Sequence, residues 1–227
     1  MMLTATDAAL KGWWTWALKH GKPEHPDAGE MKKLLAHWEK QAGPELEARA
    51  LKEKPSLVQK DLEPFKELKD HWQVCLIELV LSERKGMYEA AREAFFRPFK
   101  VDDSTRTRRD WRTMKHTTVL YLQLLLKRAA TSEAKRILDF MDRRYSLESH
   151  VLGFERGMIH DALEETKEAY LCLARAMQKN RRARAWLDEG VEILAGKDLY
   201  PRLRLHEDYA AFLASPAKYL KKQGWEF

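Results

Sequence analysis

The amino-acid sequence predicts an all-α fold in which antiparallel helix pairs are stacked as a short irregular α-solenoid or as a multi-helix bundle. Leu, Ala, Glu, Lys and Arg dominate the composition, and these residues are strong helix formers. The 227 residues include only 10 Gly and 8 Pro, which is fewer turn residues than an all-β fold requires. Apolar residues recur at helical spacing along successive segments, and a hydrophobic share of 44% is enough for a core.

The N-terminal part of the chain, residues 1–60, is predicted to be a helical region. A first helix is expected over 5–19, where three Trp residues within four positions cannot all face one way. A second helix is indicated by a stripe with i, i+3, i+4, i+7 spacing, formed by Met31, Leu34, Leu35 and Trp38. Gly43-Pro44 is predicted to end this helix, and Pro55 is predicted to interrupt the charged stretch that follows.

Stacked antiparallel helix pairs are predicted over residues 64–214. Gly86 marks the turn of the first pair, and Pro98 is expected to stop its second helix. Thr131 or Ser132 is expected to cap a later helix. The predicted pairs are 64–84 with 87–98, 104–129 with 132–145, 149–160 with 162–179, and 182–195 with 202–214.

The C-terminal residues 215–227 are predicted to form a short helix and a tail. Ser215-Pro216 offers a cap followed by a first-turn proline, and Gly224 ends the helix. A chain of this length and composition is expected to fold as a single all-α domain, 1–227.

The segment from Leu152 to Asn180 is the clearest of the predicted helix pairs. Small side chains at Ala169 and Ala176 lie on its second helix at helical spacing, which allows two helices to approach closely. Leu173 lies between them and fills the remaining space. Pairs of this kind, repeated at about 40 residues, indicate a stack in which each pair buries its apolar face on its neighbours.

This helix pair resembles the tetratricopeptide repeat family. The residues that follow the family's spacing are Gly157, Ala169, Leu173 and Ala176. His160 stands where the family has an aromatic ring, and Gly153, Arg156 and Arg181 stand where it has Trp, Leu and Pro. The first-helix spacing recurs in Trp72, Cys75, Leu76 and Leu79. The resemblance implies that a peptide or protein binds in a concave groove, while a plain multi-helix bundle remains the alternative architecture.

Positive charge is concentrated in one segment, residues 98–146, which is called the basic segment below. It holds 12 Lys and Arg against 6 Asp and Glu, and it accounts for the whole net charge of +6. Clustered charge of one sign attracts anions, although a solvated helix face gives the same pattern. The predicted partner-binding residues are Arg106, Arg108, Arg109, Arg112, Lys115, Arg143 and Arg144. Four further basic residues of the segment are Lys127, Arg128, Lys135 and Arg136.

Residues capable of catalysis or metal binding form no recognised motif in this sequence. Cys75 and Cys172 each lie among apolar residues, which predicts two buried free thiols rather than a disulfide or a metal pair. His71 precedes Cys75 by one helical turn, but two ligands do not make a zinc site. Phosphate-loop, zinc-protease and nucleophile-elbow motifs do not occur in the sequence. We therefore predict no cofactor, no metal and no enzymatic activity.

These observations favour a non-catalytic protein–protein interaction module: an adaptor, scaffold or inhibitor whose basic segment docks an acidic protein surface. The alternative is a nucleic-acid-binding helical protein that uses the same segment, without a recognised nucleic-acid motif. A third hypothesis is an enzyme that acts on a phosphorylated ligand from a helical active site. No segment reaches the ~18 apolar residues of a membrane span, and free thiols favour a cytoplasmic location. The sequence does not specify the oligomeric state.

Overall fold

The computed structural model describes residues 28–100, 108–148, 151–179, 203 and 205–225. These residues form helices and the turns between them, and none of them lies in a strand, which confirms the predicted all-α class. The helices are α1 (Ala28–His37), α2 (Gly43–Ala50), α3 (Pro55–Leu62), α4 (Trp72–Arg84), α5 (Tyr88–Lys100), α6 (Arg108–Lys127), α7 (Thr131–Tyr145), α8 (Gly153–Ala162), α9 (Thr166–Lys179), α10 (Tyr209–Ala214) and α11 (Pro216–Lys222). A π-helical turn spans Trp38–Ala42, and a 3-10 helix spans Glu63–Leu68.

The chain divides into two compact units, Met1–Thr117 and Thr118–Phe227. Helix α6 begins in the first unit and ends in the second. The single domain expected from the sequence stays a prediction. The predicted helices over 5–19 and 182–195 lie outside the described residues.

The first described helix continues past the point where the sequence predicted its end. Gly43-Pro44 does not stop it, because the π-helical turn leads directly into α2 and Pro44 lies in the first turn of that helix. A proline at this position loses no hydrogen bond, since the first N–H groups of a helix have no partner within it. Gly43 itself keeps a helical φ of −60°. The chain next breaks at Pro55, as predicted, and Pro55 opens α3.

The core of unit 1 forms around the fully buried indole of Trp38. The Phe65 ring lies 4.8 Å from it, centroid to centroid, and the His71 ring packs edge-on at 6.1 Å. Helix α4 passes through this core and is buried on nearly all sides. It is shorter than the predicted helix 64–84, because the chain forms the 3-10 helix over Glu63–Leu68 and then a turn before α4 begins.

Helices α4 and α5 form the first predicted antiparallel pair, and the structure confirms their packing. Gly86 lies in the turn between the two helices, as predicted, and has a φ of +72°, which glycine adopts without strain. Pro98 was expected to stop α5 but lies inside it, and the helix runs on to Lys100. Because proline has no N–H, it cannot pair with the carbonyl of Ala94, and the helix continues for only two residues beyond Pro98.

The second predicted pair corresponds to α6 and α7. Within α6 the stretch from Leu120 to Gln123 is buried on all sides. The Tyr121 hydroxyl of α6 donates to Oε1 of Glu133 on α7 at 3.1 Å. The prediction that Thr131 or Ser132 caps α7 is wrong: the N-cap is Ala130, without a side-chain cap bond. The tight turn between the helices places Ala130 at the cap position.

The third predicted pair is α8 with α9, and it is the most closely packed pair of unit 2. Two glycines of α8 face α9. A methyl group at Gly153 would lie 2.8 Å from Cβ of Ala176, and one at Gly157 would lie 2.8 Å from Cδ2 of Leu173. The close approach foreseen from small residues is therefore confirmed, with glycine on one helix and alanine on the other.

The C-terminal helices α10 and α11 pack on the α8–α9 pair and complete the core of unit 2. The buried Tyr170 ring of α9 lies at the centre of an aromatic cluster, with Phe212 at 4.5 Å, Tyr219 at 5.2 Å and Trp225 at 6.2 Å. Helix α11 begins at Pro216 after the N-cap Ser215, as predicted, although the serine side chain makes no cap bond.

The three helix pairs share one turn geometry. In each pair a residue with positive φ lies two positions after the end of the first helix: Gly86, Ala129 or Glu164. The next amide donates back to a carbonyl five residues earlier, as Met87 does to Ser82 at 2.9 Å. Equivalent bonds join Ala130 to Leu125 and Glu165 to His160. This arrangement is the Schellman motif. Each is followed, five residues after the positive-φ residue, by a fully buried alanine: Ala91, Ala134 and Ala169.

Alignment of the three described helix pairs on these turns allows their equivalent positions to be compared. Counted back from the turn, Cys75 and Leu79 of α4 occupy the positions that Gly153 and Gly157 occupy in α8. The first helices of the two pairs therefore carry residues of different size at these positions. The buried alanine allows close contact of the second helix with the first in every pair. The turn and the buried alanine of the 152–180 pair therefore recur in all three described pairs.

Candidate functional site

The predicted partner-binding residues are distributed over helices α6 and α7. Arg108, Arg109 and Arg112 lie on α6, while Arg106 lies outside the described residues. Lys115 is exposed on α6. Arg143 and Arg144 lie together in the last turn of α7, where positive charge is stabilised by the helix dipole.

Helix α7 is strongly amphipathic, and its solvent-facing side carries most of its basic residues. The buried side consists of Ala134, Ile137, Leu138 and Met141. The exposed residues are Ser132, Lys135, Arg136, Asp139 and Arg143. We define the α7 basic face as Lys135, Arg136 and Arg143 with the half-buried Arg144. Lys135 and Arg136 were recognised in the sequence as part of the basic segment, and so was Lys127, which is also exposed, but nothing in the spacing alone marked Arg128 as half-buried.

The acidic side chains at the edges of α7 are neutralised by neighbouring helices. Glu133 accepts a hydrogen bond from Nη2 of Arg128 at 2.8 Å, in addition to the bond from Tyr121. Asp142 forms an ion pair with Nη2 of Arg156 on α8, and Nε of Arg156 donates to the Val151 carbonyl at 2.9 Å. These carboxylates are therefore paired, and in the described part of the chain the acidic groups left beside the basic face are Asp139 on the same helix and Glu165 in the α8–α9 turn. His160 first, and Lys135 in addition, lower the pKa of Glu165.

Contacts at both ends of α7 hold the helix, and with it its basic residues, in place. At the C-terminal end, the guanidinium carbon of Arg144 lies 5.9 Å from the centroid of the Tyr145 ring. The helix then ends at Ser146, which has a φ of +49°. Because Glu133 and Asp142 anchor opposite ends of α7 to α6 and α8, the exposed residues between them lie on a rigid element.

A second candidate surface is a groove in unit 1, with a volume of about 290 Å³. One wall is formed by the end of α3 and the 3-10 helix, the floor by α4, and the other wall by α5. Its apolar lining is formed by Leu62, Phe65, Val74, Leu81 and Ala94, all buried, and by the exposed side chain of Met87 at the edge. This volume is slightly below the range of ligand pockets, which is about 300–1,000 Å³.

His71 and Cys75 lie together in unit 1 but have structural roles. The Nδ1 atom of His71 accepts a bond from the Gln73 amide at 3.3 Å, and so caps α4. Burial lowers the pKa of His71 to about 4, which keeps this acceptor neutral. The Cys75 thiol donates to the Lys69 carbonyl at 3.1 Å, and burial raises its pKa to about 12.

Both cysteines are buried and free, as predicted. Burial also raises the pKa of Cys172, so neither thiol is poised as a nucleophile. Within the ranges that the structure describes, no three His, Cys, Asp or Glu side chains are grouped so that they could hold a metal ion.

Comparisons of the chain with protein-family models, with curated proteins and with solved structures found no match. Among the helices of the described residues, none combines the length and the apolar character needed to cross a membrane.

Proposed function

We propose that this chain is a non-catalytic protein–protein interaction module, acting as an adaptor, scaffold or inhibitor, that docks an acidic surface of a partner protein on the α7 basic face. The observation that supports this most is the pairing of Glu133 with Arg128 and of Asp142 with Arg156. Both pairs remove negative charge from the edges of α7 and leave Lys135, Arg136 and Arg143 exposed. Complementary charge steers association and selects among partners.

The packing of unit 2 supports a binding role for this face. Helix α7 contacts α8, and its apolar side is fully used in the core, so its basic side is the part available to a partner. Rigid helices that hold their side chains before binding lose little conformational entropy in the complex. The two buried thiols suit a reducing compartment, and we include a cytoplasmic location in the proposal.

The experiment is quantitative affinity capture with the full-length chain, followed by mass spectrometry of bound proteins. The test variant reverses three charges of the basic face: Lys135→Glu, Arg136→Glu and Arg143→Glu. The control variant reverses three exposed lysines of unit 1 in the same way: Lys32→Glu, Lys52→Glu and Lys60→Glu. The two variants have the same net charge, so the comparison separates the location of the charge from its amount.

We expect the test variant to lose a defined partner about tenfold or more, while the control variant keeps it, because three rim charges alter the rate of association strongly. Equal recovery by both variants would exclude the α7 basic face as the docking site. Fluorescence anisotropy with duplex DNA and single-stranded RNA at ~50 mM salt tests the nucleic-acid alternative, since phosphate contacts are strongest at low salt. Binding of either probe that the test variant abolishes would support that alternative instead.

A further inference from the structure

Four helix ends meet at one end of unit 1. Helix α2 ends there and α3 begins after the turn 51–54, while α4 ends there and α5 begins after the turn 85–87. Arg84, the last residue of α4, joins the two turns, because its Nη1 atom donates to the carbonyls of Ala50 and Glu53. The two turns therefore lie side by side, and we call the surface that they form the turn end of unit 1.

The turn end carries four of the five large apolar side chains that are exposed in the described part of the chain. Their exposed fractions lie between 41% and 53%, and they are Leu51, Leu57, Met87 and Tyr88. Leu57 and Tyr88 lie in the first turns of α3 and α5, where side chains lean towards the helix N-terminus and so outwards from this end. Apolar side chains that are exposed together and rimmed by polar residues mark a contact site for a protein or a membrane.

Positive charge surrounds these apolar side chains. The segments 51–57 and 84–88 contain one carboxylate, that of Glu53, against four exposed basic residues: Lys52, Lys54, Arg84 and Lys85. Glu53 is already paired, since its Oε2 atom accepts from Nε of Arg49 at 2.9 Å. The turn end therefore has an excess of positive charge beside its apolar side chains.

The neighbouring groups leave this excess uncompensated. Arg84 and Lys85 donate to neutral acceptors, which are backbone carbonyls and Oε1 of Gln59. Of the two carboxylates that flank the second turn, Glu83 is half-buried and Glu89 lies 3.9 Å from Nη1 of Arg92. Within the described residues, no ion pair involves either lysine of the first turn.

An anionic lipid surface matches this combination of groups. The apolar side chains stand at helix ends in two separate turns, so they do not form the continuous stripe that a partner helix recognises. At a bilayer surface, apolar side chains enter the boundary between headgroups and acyl chains, while Lys and Arg contact the anionic headgroups beside it. Tyrosine is enriched at this depth, because its ring is apolar and its hydroxyl group is polar.

We propose that the turn end of unit 1 docks on the surface of an anionic membrane, with Leu57, Met87 and Tyr88 in the interface and Lys52 and Lys54 at the headgroups. The contact is peripheral, and its charged part makes it selective for anionic lipid and sensitive to salt. The surface shares no residue with the α7 basic face, so this proposal and the proposed function can fail independently of each other.

The test is co-flotation of the full-length chain with vesicles of phosphatidylcholine, with and without phosphatidylserine, at ~150 mM salt, where screening suppresses distant charge contacts. One test variant removes apolar surface, Leu57→Gln with Met87→Gln, and the other reverses charge, Lys52→Glu with Lys54→Glu. All four side chains are exposed, so the fold is expected to persist, and circular dichroism establishes that it does.

The matched charge control is Lys135→Glu with Arg136→Glu on the α7 basic face, which changes the net charge by the same amount. We expect each test variant to bind phosphatidylserine vesicles about tenfold more weakly than the parent chain does, and the control to change binding much less. Equal loss in the control would overturn the proposal, because total charge would then explain the binding. Failure of the parent chain to bind these vesicles, or binding that the apolar variant retains in full, would also overturn it.

A dye that responds to polarity tests whether the apolar side chains enter the bilayer. Both native thiols are buried, so a cysteine introduced at an exposed position is the one that is labelled in the folded chain. A nitrobenzoxadiazole dye on Leu57→Cys should brighten and shift its emission to shorter wavelength with phosphatidylserine vesicles. The same dye on Leu205→Cys, at the exposed apolar residue of unit 2, should not respond.

A response at position 205 without one at position 57 would overturn the proposal, because a different part of the chain would then face the lipid. Light scattering addresses a second copy of the chain as the occupant. A dimer that Leu57→Gln with Met87→Gln dissociates would overturn the proposal, since the apolar side chains would then be covered by protein. The same conclusion would follow if affinity capture recovered a partner protein that this variant loses.

Discussion

His116 on α6 and Glu47 on α2 form an ion pair, with 3.0 Å between Nε2 and Oε1. The second oxygen of the same carboxylate accepts a hydrogen bond from Nε2 of Gln73 on α4 at 2.7 Å. One carboxylate thus links three helices of unit 1. Its hydrogen bond to His116 lowers the pKa of Glu47 against the opposing effect of burial, and raises the pKa of His116 above its ordinary value of 6.5.

The first prediction concerns the pH dependence of this link. His116 has a raised folded-state pKa, so its contribution is complete below pH 6.5 and is lost as the pH rises through the raised value. Glu47 has a lowered pKa, so its contribution is present above pH 4.5 and is lost as the pH falls through the lowered value. The His116→Ala variant should therefore lose most stability, relative to the parent, between pH 4.5 and 6.5.

Urea unfolding of both proteins at pH 5.5 and pH 8.5 measures the effect. Because the His116 side chain is 61% exposed, we expect a difference of only about 0.2–1 kcal/mol at pH 5.5, and a smaller one at pH 8.5. A difference that is the same at both pH values would mean that the charge of His116 is not coupled to folding.

The second prediction concerns Gly43, which leaves room for the Gln73 side chain. A Cβ atom at this position would collide with Oε1 of Gln73 and lie 2.9 Å from its Cδ. Gly43→Ala should displace Gln73 from Glu47 and reduce the free energy of unfolding by about 1–2 kcal/mol, after the gain in helix propensity is subtracted. In the Gln73→Ala background the same substitution should be neutral or stabilising. Chemical denaturation of the four proteins in this cycle measures the coupling, and additive effects would contradict the account.

The third prediction concerns the close packing of α8 on α9. A methyl group at Gly153 would lie 2.8 Å from Cβ of Ala176 and 3.1 Å from the Cys172 carbonyl, so backbone must move to accept it. Gly153→Ala should therefore cost about 1–3 kcal/mol. At Gly157 the obstacle is the end of the Leu173 side chain, and Gly157→Ala should cost less. Thermal unfolding followed by circular dichroism ranks the two variants, and the reverse order would show that α9 shifts more readily than Leu173.

The fourth prediction concerns the turn between α6 and α7. Ala129 has a φ of +60°, a conformation that costs an L-residue roughly 1–2 kcal/mol and that glycine adopts freely. Ala129→Gly should raise the free energy of unfolding by about 0.5–1 kcal/mol, whereas Gly86→Ala at the equivalent turn should lower it by about 1 kcal/mol. The neighbouring Ala130 has a φ of −85°, so Ala130→Gly is the matched control and should not stabilise. If Ala129→Gly and Ala130→Gly both raised the free energy of unfolding, the effect would be a general one of glycine in this turn and not a consequence of the positive φ at Ala129.

The helical class and three of the helix pairs could be predicted because their signals are local. Apolar spacing, Gly86 at a turn and Pro216 in a first turn each depend on a few neighbouring residues. Pro44 was misjudged because a proline is as compatible with the first turn of a helix as with the residue after a helix end. Pro98 was misjudged because the helix continues for two residues beyond it, which its local sequence does not indicate. Ala129 and Glu164 gave no turn signal, since their side chains do not favour a positive φ.

The candidate surfaces were predicted only in part. The sequence located the excess charge, but it could not show that Glu133 and Asp142 are paired across helices, because their partners are determined by packing. The unit 1 groove was missed entirely. Its floor residues give the same apolar pattern as any core residue, and only the position of the 3-10 helix relative to α4 and α5 leaves space above them.

Lysine labelling of the captured complex tests the central proposal most directly. Lys135 lies on the α7 basic face, and Lys167 on α9 is an equally solvent-exposed internal control. The free chain and the complex are acetylated under identical conditions, and the modification of each lysine is quantified by mass spectrometry. We predict that the labelling of Lys135 falls several-fold in the complex while that of Lys167 is unchanged. Unchanged labelling of Lys135, with protection elsewhere, would contradict the assignment of α7 as the docking surface.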